Sequence, residues 1–206
     1  MSPHRGVFIV LEGPDKSGKS TQAALLVRYL KSHKIPFLHS REPGGTAFAE
    51  AIRKLLLDPR HQVTPLAELL LYEAARAQHT QETLLPALRR GKFVLCERYT
   101  LATMAYQGHA RGLSLPLVRR LNQIATSGLK PDLTIVLDVL ESEFNSRDKQ
   151  RRHDRLELES PGFRRRVREG YRSLARRQPR VALLNGRRDV AQLHQEILQR
   201  VCRFLS

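Results

Sequence analysis

Cysteine is scarce in this sequence, and its copies are far apart. Only Cys96 and Cys202 occur among the 206 residues. Two cysteines cannot build the disulfide framework that supports many small secreted domains, and neither has neighbours at a metal-ligand spacing. We therefore expect a cytoplasmic location, where thiols stay reduced.

Long hydrophobic runs are also missing. The longest apolar stretches, such as Val7–Leu11 and Leu133–Leu137, are far shorter than the roughly 20 residues that a membrane-spanning helix needs. Met1–Arg5 leads into a short predicted strand and a charged loop, so we predict no signal peptide. Apolar residues make up 41% and charged residues 27%, which excludes extensive disorder and favours a single domain over residues 1–206.

Acidic residues are too few to balance the basic ones. The chain has 36 lysines and arginines against 20 acidic residues, and its formal net charge is +16. Such an excess favours polyanionic partners, namely nucleotides, nucleic acids or acidic surfaces, without choosing among them. Aromatic residues are few, at 6%, and we find no aromatic–basic pattern typical of surfaces that stack single-stranded bases. Nucleic-acid binding is therefore expected to be at most weak and charge-driven.

Short apolar segments alternate along the chain with longer segments of helical periodicity. This alternation predicts a three-layer α/β fold, with a mostly parallel central sheet of about five strands covered on both faces. The predicted strands are Val7–Leu11, Pro36–His39, Phe93–Cys96, Leu133–Leu137 and Val181–Leu184. The predicted helices are Lys19–Ser32, Phe48–Leu57, Leu66–His79, Leu115–Thr126, Pro161–Arg177 and Val190–Phe204.

A glycine-rich loop stands between the first predicted strand and the first predicted helix. Its sequence, GPDKSGKS from Gly13 to Ser20, matches the phosphate-binding pattern G-x-x-x-x-G-K-[ST]. The glycines let backbone N–H groups point inward at a helix N-terminus, Lys19 adds a cation for the β- and γ-phosphates, and Ser20 offers a hydroxyl to Mg²⁺. The pattern predicts ATP binding by Gly13, Pro14, Asp15, Lys16, Ser17, Gly18, Lys19, Ser20 and Thr21.

Five further segments, taken with this loop, resemble the thymidylate kinase family, in which ATP phosphorylates dTMP. They are SREPGGT (Ser40–Thr46), LLLYEAARAQ (Leu69–Gln78), VLCERYTLATMAYQGHARG (Val94–Gly112), KPDLTIVLDV (Lys130–Val139) and DRLE (Asp154–Glu157). The resemblance implies the P-loop nucleoside monophosphate kinase fold, usually a homodimer. It also implies direct transfer from ATP to dTMP, giving ADP and dTDP, with Mg²⁺ as cofactor.

The resemblance assigns roles at the acceptor nucleotide to Asp15, Arg41, Arg53, Tyr72, Arg76, Arg98, Thr103, Tyr106 and Gln107. Asp15 corresponds to a carboxylate that hydrogen-bonds the sugar 3′-hydroxyl. Arg41 and Arg98 correspond to arginines at the acceptor phosphate, and Arg53 falls where the family can place another.

The other residues of this set belong to the nucleoside. Tyr72 corresponds to an aromatic ring stacked on thymine, and Arg76 to an arginine at thymine O4. Gln107 lies at a second base-side position, and we add the hypothesis that Thr103 assists there, through thymine N3 or a water. Tyr106 corresponds to a residue packed against the sugar C2′, which would disfavour a ribonucleotide.

The resemblance also implies a mobile lid, at approximately residues 143–157, which closes over ATP. The catalytic residues that it implies are Lys19, Arg98, Glu97 and one lid arginine, either Arg151 or Arg152. Ser20 and Glu97 are the predicted Mg²⁺ ligands.

The sequence departs from the family pattern at several positions. Glu97 stands where the family usually has aspartate, and Ala102 where it has a small hydroxyl residue, although Thr103 follows. Lys16 adds a cation inside the phosphate-binding loop, and the lid is about one residue shorter than the pattern. Two alternatives therefore stay open: another pyrimidine monophosphate as acceptor, such as dUMP, or a nucleic-acid-binding or regulatory protein on a kinase scaffold.

Overall fold

The computed structural model describes residues 6–144, 146 and 153–205. Its centre is a five-stranded sheet in the order β2-β3-β1-β4-β5, and every pairing is parallel. The strand order reverses at β1, which places a crevice at the carboxyl end of that strand. The strands are β1 (Val7–Glu12), β2 (Phe37–Arg41), β3 (Phe93–Glu97), β4 (Leu133–Asp138) and β5 (Val181–Asn185). The predicted parallel sheet of about five strands is confirmed.

Helices connect the strands, and some of them begin at a side chain that caps the helix N-terminus. Thr46 Oγ1 accepts a hydrogen bond from Ala49 N at 3.1 Å, and Asp189 Oδ1 accepts one from Ala191 N at 2.8 Å. No helix in the described ranges is both long and apolar enough to cross a membrane. The α-helices are α1 (Lys19–Ser32), α2 (Ala47–Leu57), α3 (Pro65–His79), α4 (Leu85–Arg89), α5 (Thr100–Thr103), α6 (Leu115–Ala125), α7 (Pro161–Ala175) and α8 (Val190–Val201).

Both faces of the sheet are buried beneath helices. In β1, Ile9 and Leu11 lie in an apolar cluster with residues of α1 and α8. Their neighbours Phe8 and Val10 point to the opposite face and pack in a cluster that includes Leu88 of α4. On that same side, α3, α6 and α7 contribute to a further cluster with Val136 of β4. The three-layer arrangement is therefore confirmed, since alternate strand residues supply a core on each side.

The extents of several elements differ from the prediction. β2 continues to Arg41, so its polar end belongs to the sheet, and α8 ends at Val201 before a 3₁₀ turn, Cys202–Phe204. Two helical regions were not predicted because they contain π-type turns, Thr80–Leu84 and Met104–Ala110. Such turns use i→i+5 hydrogen bonds, which shift the spacing of apolar residues away from the α-helical period.

Candidate active site

The glycine-rich loop lies at the carboxyl end of β1 and leads directly into α1. Gly13 has a φ of +139°, and a Cβ there would lie 2.5 Å from the Leu137 carbonyl oxygen of β4. Gly18 has a φ of +94° immediately before α1. Glycine is therefore required both for the close approach to β4 and for the entry into the helix. The turn aims the amides at the N-terminus of α1 into the loop, an arrangement that favours anions.

The amine of Lys19 lies at the centre of this loop. Its Nζ donates to Pro14 O at 2.7 Å, to Gly13 O at 3.0 Å and to Ser17 Oγ at 3.3 Å. Burial, joined by the positive charge of Arg98, lowers the pKa of Lys19 to about 7. Phosphate groups would favour its charged form, which suits the loop to an anionic ligand.

The two residues predicted to bind Mg²⁺, Ser20 and Glu97, are hydrogen-bonded to each other at the loop. Ser20 Oγ donates to Glu97 Oε2 at 2.6 Å, and Glu97 Oε1 lies 3.0 Å from Nε2 of His39 on β2. Burial alone would raise the pKa of Glu97, but these hydrogen bonds lower it and favour the carboxylate. Carboxylate and hydroxyl oxygens suit Mg²⁺, which usually takes few protein ligands and completes its shell with water and phosphate. The described part of the chain holds no cluster of three or more His, Cys, Asp or Glu side chains fit for a metal.

Arg98 lines both the open cleft in front of the glycine-rich loop and a second cavity. Its Nη1 donates to Gly13 O at 3.1 Å and to Tyr171 Oη at 3.2 Å. Its Nη2 donates to Tyr106 Oη at 3.2 Å and forms an ion pair with Asp15. Tyr106 Oη in turn donates to Asp15 Oδ2 at 2.7 Å. This network holds one cation and one carboxylate between the glycine-rich loop and the cavity behind it.

The second cavity is lined by residues of the glycine-rich loop, α2, α3 and the Met104–Ala110 turn. Arg53 reaches it from α2, and its Nη1 donates to Pro43 O at 2.9 Å. Burial, opposed only in part by nearby cations, raises the pKa of Tyr72, so the phenol is neutral. Predicted acceptor residues that line the cavity are Asp15, Arg53, Tyr72, Arg98, Thr103, Tyr106 and Gln107.

Arg76 and Arg41 lie elsewhere. Arg76 is 1% exposed and is not among the residues that line the cavity. Its guanidinium donates to Glu42 at 2.7 Å, Glu73 at 2.8 Å and Asn122 at 2.7 Å. Arg41 lines the open cleft in front of the loop, and its exposed side chain lies 3.5 Å from Glu50. Arg76 is linked to the cavity through Thr103, which lines it. Nη1 of Arg76 donates to Oγ1 of Thr103 at 3.1 Å.

Gln107 is held from below by a buried charge cluster. Its Nε2 donates to Glu68 Oε1 at 2.7 Å. Glu68, which is fully buried, also pairs with Arg111 at 3.1 Å and with Arg155 at 2.6 Å. Arg155 belongs to the DRLE segment, so this cluster connects α3 to the C-terminal end of the predicted lid.

The sequence did not point to three buried residues near the site: Tyr171, Glu68, and Glu12, whose carboxylate accepts a hydrogen bond from Tyr171. Glu12 directly precedes the glycine-rich loop, and that position was the one available signal for it. Tyr171 and Glu68 sit within helical patterns that predict only ordinary surface or core positions.

Lys16, inside the loop, lies with its Nζ 3.8 Å from the centre of the Phe144 ring. Arg151 and Arg152 lie outside the described residues.

The chain is similar over most of its length to known proteins. A family model described as thymidylate kinase matches residues 11–197. The thymidylate kinase of Carboxydothermus hydrogenoformans is 46% identical over 194 residues, which cover 94% of this chain and 95% of that protein. The thymidylate kinases of Pelotomaculum thermopropionicum and Kosmotoga olearia are 45% and 41% identical, over 95% and 94% of this chain and 92% and 94% of the respective relative.

Proposed function

Because the chain belongs to the thymidylate kinase family, we propose that it transfers the γ-phosphoryl group of ATP to dTMP, giving ADP and dTDP. One observation carries the assignment: the open cleft in front of the glycine-rich loop and the second cavity adjoin and share Asp15, Arg53 and Arg98. A donor in the cleft and an acceptor in the cavity would meet at Arg98. Such a kinase works mainly by positioning two anions and neutralising their charge.

The donor side of this mechanism uses the loop. Gly13–Thr21 would bind the ATP phosphates, with Lys19 as the cation at the β- and γ-phosphates. The segment Asn185–Asp189, which follows β5, would contact the adenine of ATP. Its residues Gly186 and Arg188 line the same cleft as the loop. Mg²⁺, held by Ser20 and Glu97 with the phosphates, would neutralise part of their charge.

The acceptor side uses the cavity. Arg98, Arg41 and Arg53 would bind the dTMP phosphate, whose oxygen is already an anionic nucleophile, so no covalent enzyme intermediate is required. Asp15 would accept a hydrogen bond from the 3′-hydroxyl of the sugar, and Tyr106 would pack against C2′. Tyr72 would stack on thymine.

The remaining base-side assignments rest on fewer contacts. Gln107 and Thr103 line the cavity, which supports their contact with the thymine edge. For Arg76 we propose an indirect part at the base, through its hydrogen bond to Thr103. We retain Arg151 or Arg152, in the lid at residues 143–157, as the arginine for the transferring phosphoryl group.

A substrate panel tests the proposal. Release of ADP is measured with ATP and Mg²⁺ against dTMP, dUMP, UMP, dCMP and dGMP, and the folded state of the protein is checked by circular dichroism. A clear preference for dTMP is expected. Equal rates with UMP or dCMP would replace the acceptor assignment, and no release with any acceptor would replace the kinase assignment by the regulatory alternative.

We also propose that the protein is a homodimer. Neighbouring helices α2, α3 and α6 expose large apolar side chains toward solvent: Phe48, Leu55, Leu66, Leu70, Leu117 and Ile124. Grouped apolar side chains of this kind are typical of protein–protein interfaces. Light scattering should give twice the 23.6 kDa of one chain, and Phe48→Glu should shift it toward the monomer.

The cellular context of the activity is part of the same proposal. We propose a single kinase domain over residues 1–206, working in the cytoplasm on its small-molecule substrates. Nucleic-acid binding by the +16 charge would be weak and would fall steeply with added salt. A DNA affinity that hardly changes with salt would contradict this.

A further inference from the structure

A buried carboxylate that no part of the mechanism above uses lies directly below Arg98. Glu12, the last residue of β1, is fully buried. Its Oε1 accepts from Tyr99 N at 2.7 Å and from Ala102 N at 3.2 Å. Its Oε2 accepts from Tyr171 Oη at 2.8 Å. One oxygen therefore binds the segment that follows Arg98, and the other binds α7.

The backbone of Arg98 needs such support. Arg98 has a φ of +68°, in the left-handed region, which costs a residue with a side chain about 1 kcal/mol or more. Its own amide donates to Leu11 O at 2.8 Å, and the next amide, of Tyr99, is the one bound by Glu12. Adjacent residues at the end of β1 thus hold the turn on both sides.

The side chain of Arg98 is held through Tyr171. A tyrosine hydroxyl has one hydrogen, and that of Tyr171 points to Glu12. Its oxygen is then left to accept from Arg98 Nη1 at 3.2 Å. Tyr171 is 1% exposed and belongs to α7, so this contact fixes the guanidinium from a rigid helix on the side away from the cavity.

We propose that Glu12 and Tyr171 are positioning residues, which hold Arg98 in the orientation that binds the phosphate of the acceptor nucleotide. This rests on the proposed function, since it takes Arg98 as the acceptor-phosphate arginine. Glu12 holds the turn, Tyr171 holds the guanidinium, and the hydrogen bond between them keeps the two supports together. Neither residue touches the nucleotide.

The test compares two ligands that differ only in the phosphate. Dissociation constants for dTMP and for thymidine are measured by calorimetry with the wild type and with Tyr171→Phe. The variant removes the hydroxyl that accepts from Arg98 and donates to Glu12. Arg98 thereby loses one hydrogen bond, and dTMP binding should weaken about tenfold. Thymidine binding should change less than about twofold, because Asp15 keeps its hydrogen bond from Tyr106.

Tyr99→Phe is the matched control. Tyr99 is also 1% exposed, but its hydroxyl lies 3.4 Å from Leu129 O, away from Arg98. This variant should leave the ratio of the two dissociation constants unchanged. Glu12→Gln provides a second test, and it should lower dTMP affinity selectively as Tyr171→Phe does.

The outcomes separate the two proposals. If Tyr171→Phe keeps wild-type dTMP affinity, or weakens dTMP and thymidine equally, the positioning role is wrong. If the wild type itself fails to bind dTMP, the proposed function is wrong. Thermal unfolding accompanies each variant, and if Glu12→Gln does not fold, the two ligands with Tyr171→Phe still decide the question.

Discussion

Replacing Glu68 by glutamine should destabilise the protein strongly, although the change is nearly isosteric. The Glu68 carboxylate is fully buried, while Arg111 and Arg155 are 16% and 10% exposed. The substitution keeps one acceptor oxygen but removes the negative charge that two arginines share. The new amide hydrogens also face donors, namely the Gln107 amide and the two guanidinium groups, so some hydrogen bonds are lost as well.

The size of the effect follows from the burial. Breaking a buried ion pair by removing one partner costs about 3–5 kcal/mol. We expect the lower end, about 3 kcal/mol, because Arg111 keeps its contact with Glu159 at 2.6 Å and Arg155 Nε keeps the Leu56 carbonyl at 2.8 Å. In a chain of 206 residues this lowers Tm by about 6–12 °C.

Urea unfolding followed by circular dichroism measures this cost. Glu169→Gln, an exposed position on α7, is the control, since it changes the net charge equally and should stay within about 0.5 kcal/mol of the wild type. In a double-mutant cycle, Arg155→Met should cost less in the Glu68→Gln background, with an interaction energy of about 1–3 kcal/mol. A loss below about 1 kcal/mol for Glu68→Gln, or no interaction energy, would refute the reasoning.

Two further predictions concern other parts of the site. Burial alone would raise the pKa of Glu42, but Arg76 and His79 lower it. Its stabilisation is therefore present above the unfolded-state pKa of about 4.5 and lost as pH falls through the folded-state value, so the gap in unfolding free energy between wild type and Glu42→Gln should shrink below about pH 4.5. A gap that is constant with pH would contradict this. Tyr106→Ala should lower the preference for deoxy over ribo acceptors by about tenfold, measured as a kcat/KM ratio; an unchanged ratio would remove the sugar role of Tyr106.

Much of the fold could be predicted because most strands have a short apolar centre between helical patterns, as in Val7–Leu11 and Leu133–Leu137. The pairing order could not, since β1 pairs with β3 and β4, and nothing in an apolar segment such as Val94–Cys96 selects its neighbour. The glycine-rich loop was predictable for the opposite reason. Its chemistry depends on backbone conformation and local spacing, as the φ of Gly18 illustrates.

The supports of the site could not be predicted, because they depend on contacts between distant parts of the chain. Glu12 and Tyr171 are 159 positions apart yet hydrogen-bonded. The four acceptors around Arg76 outside its own helix, on Glu42, Tyr99, Thr103 and Asn122, likewise come from three separate segments. Nothing in the sequence indicates that these segments meet.

Glu97 illustrates how the structure changes the meaning of a departure seen in the sequence. Its extra methylene predicts a carboxylate displaced from the metal and phosphates, at a cost in rate. In the structure Glu97 is the last residue of β3 and lies opposite Arg41 of β2. His39, two residues before Arg41 on β2, has its ring nitrogen 3.0 Å from Oε1 of Glu97. The other oxygen still reaches Ser20 Oγ at 2.6 Å. The carboxylate of the longer side chain therefore has a partner on each side, His39 of β2 and Ser20 of α1, and it remains beside the phosphate-binding loop.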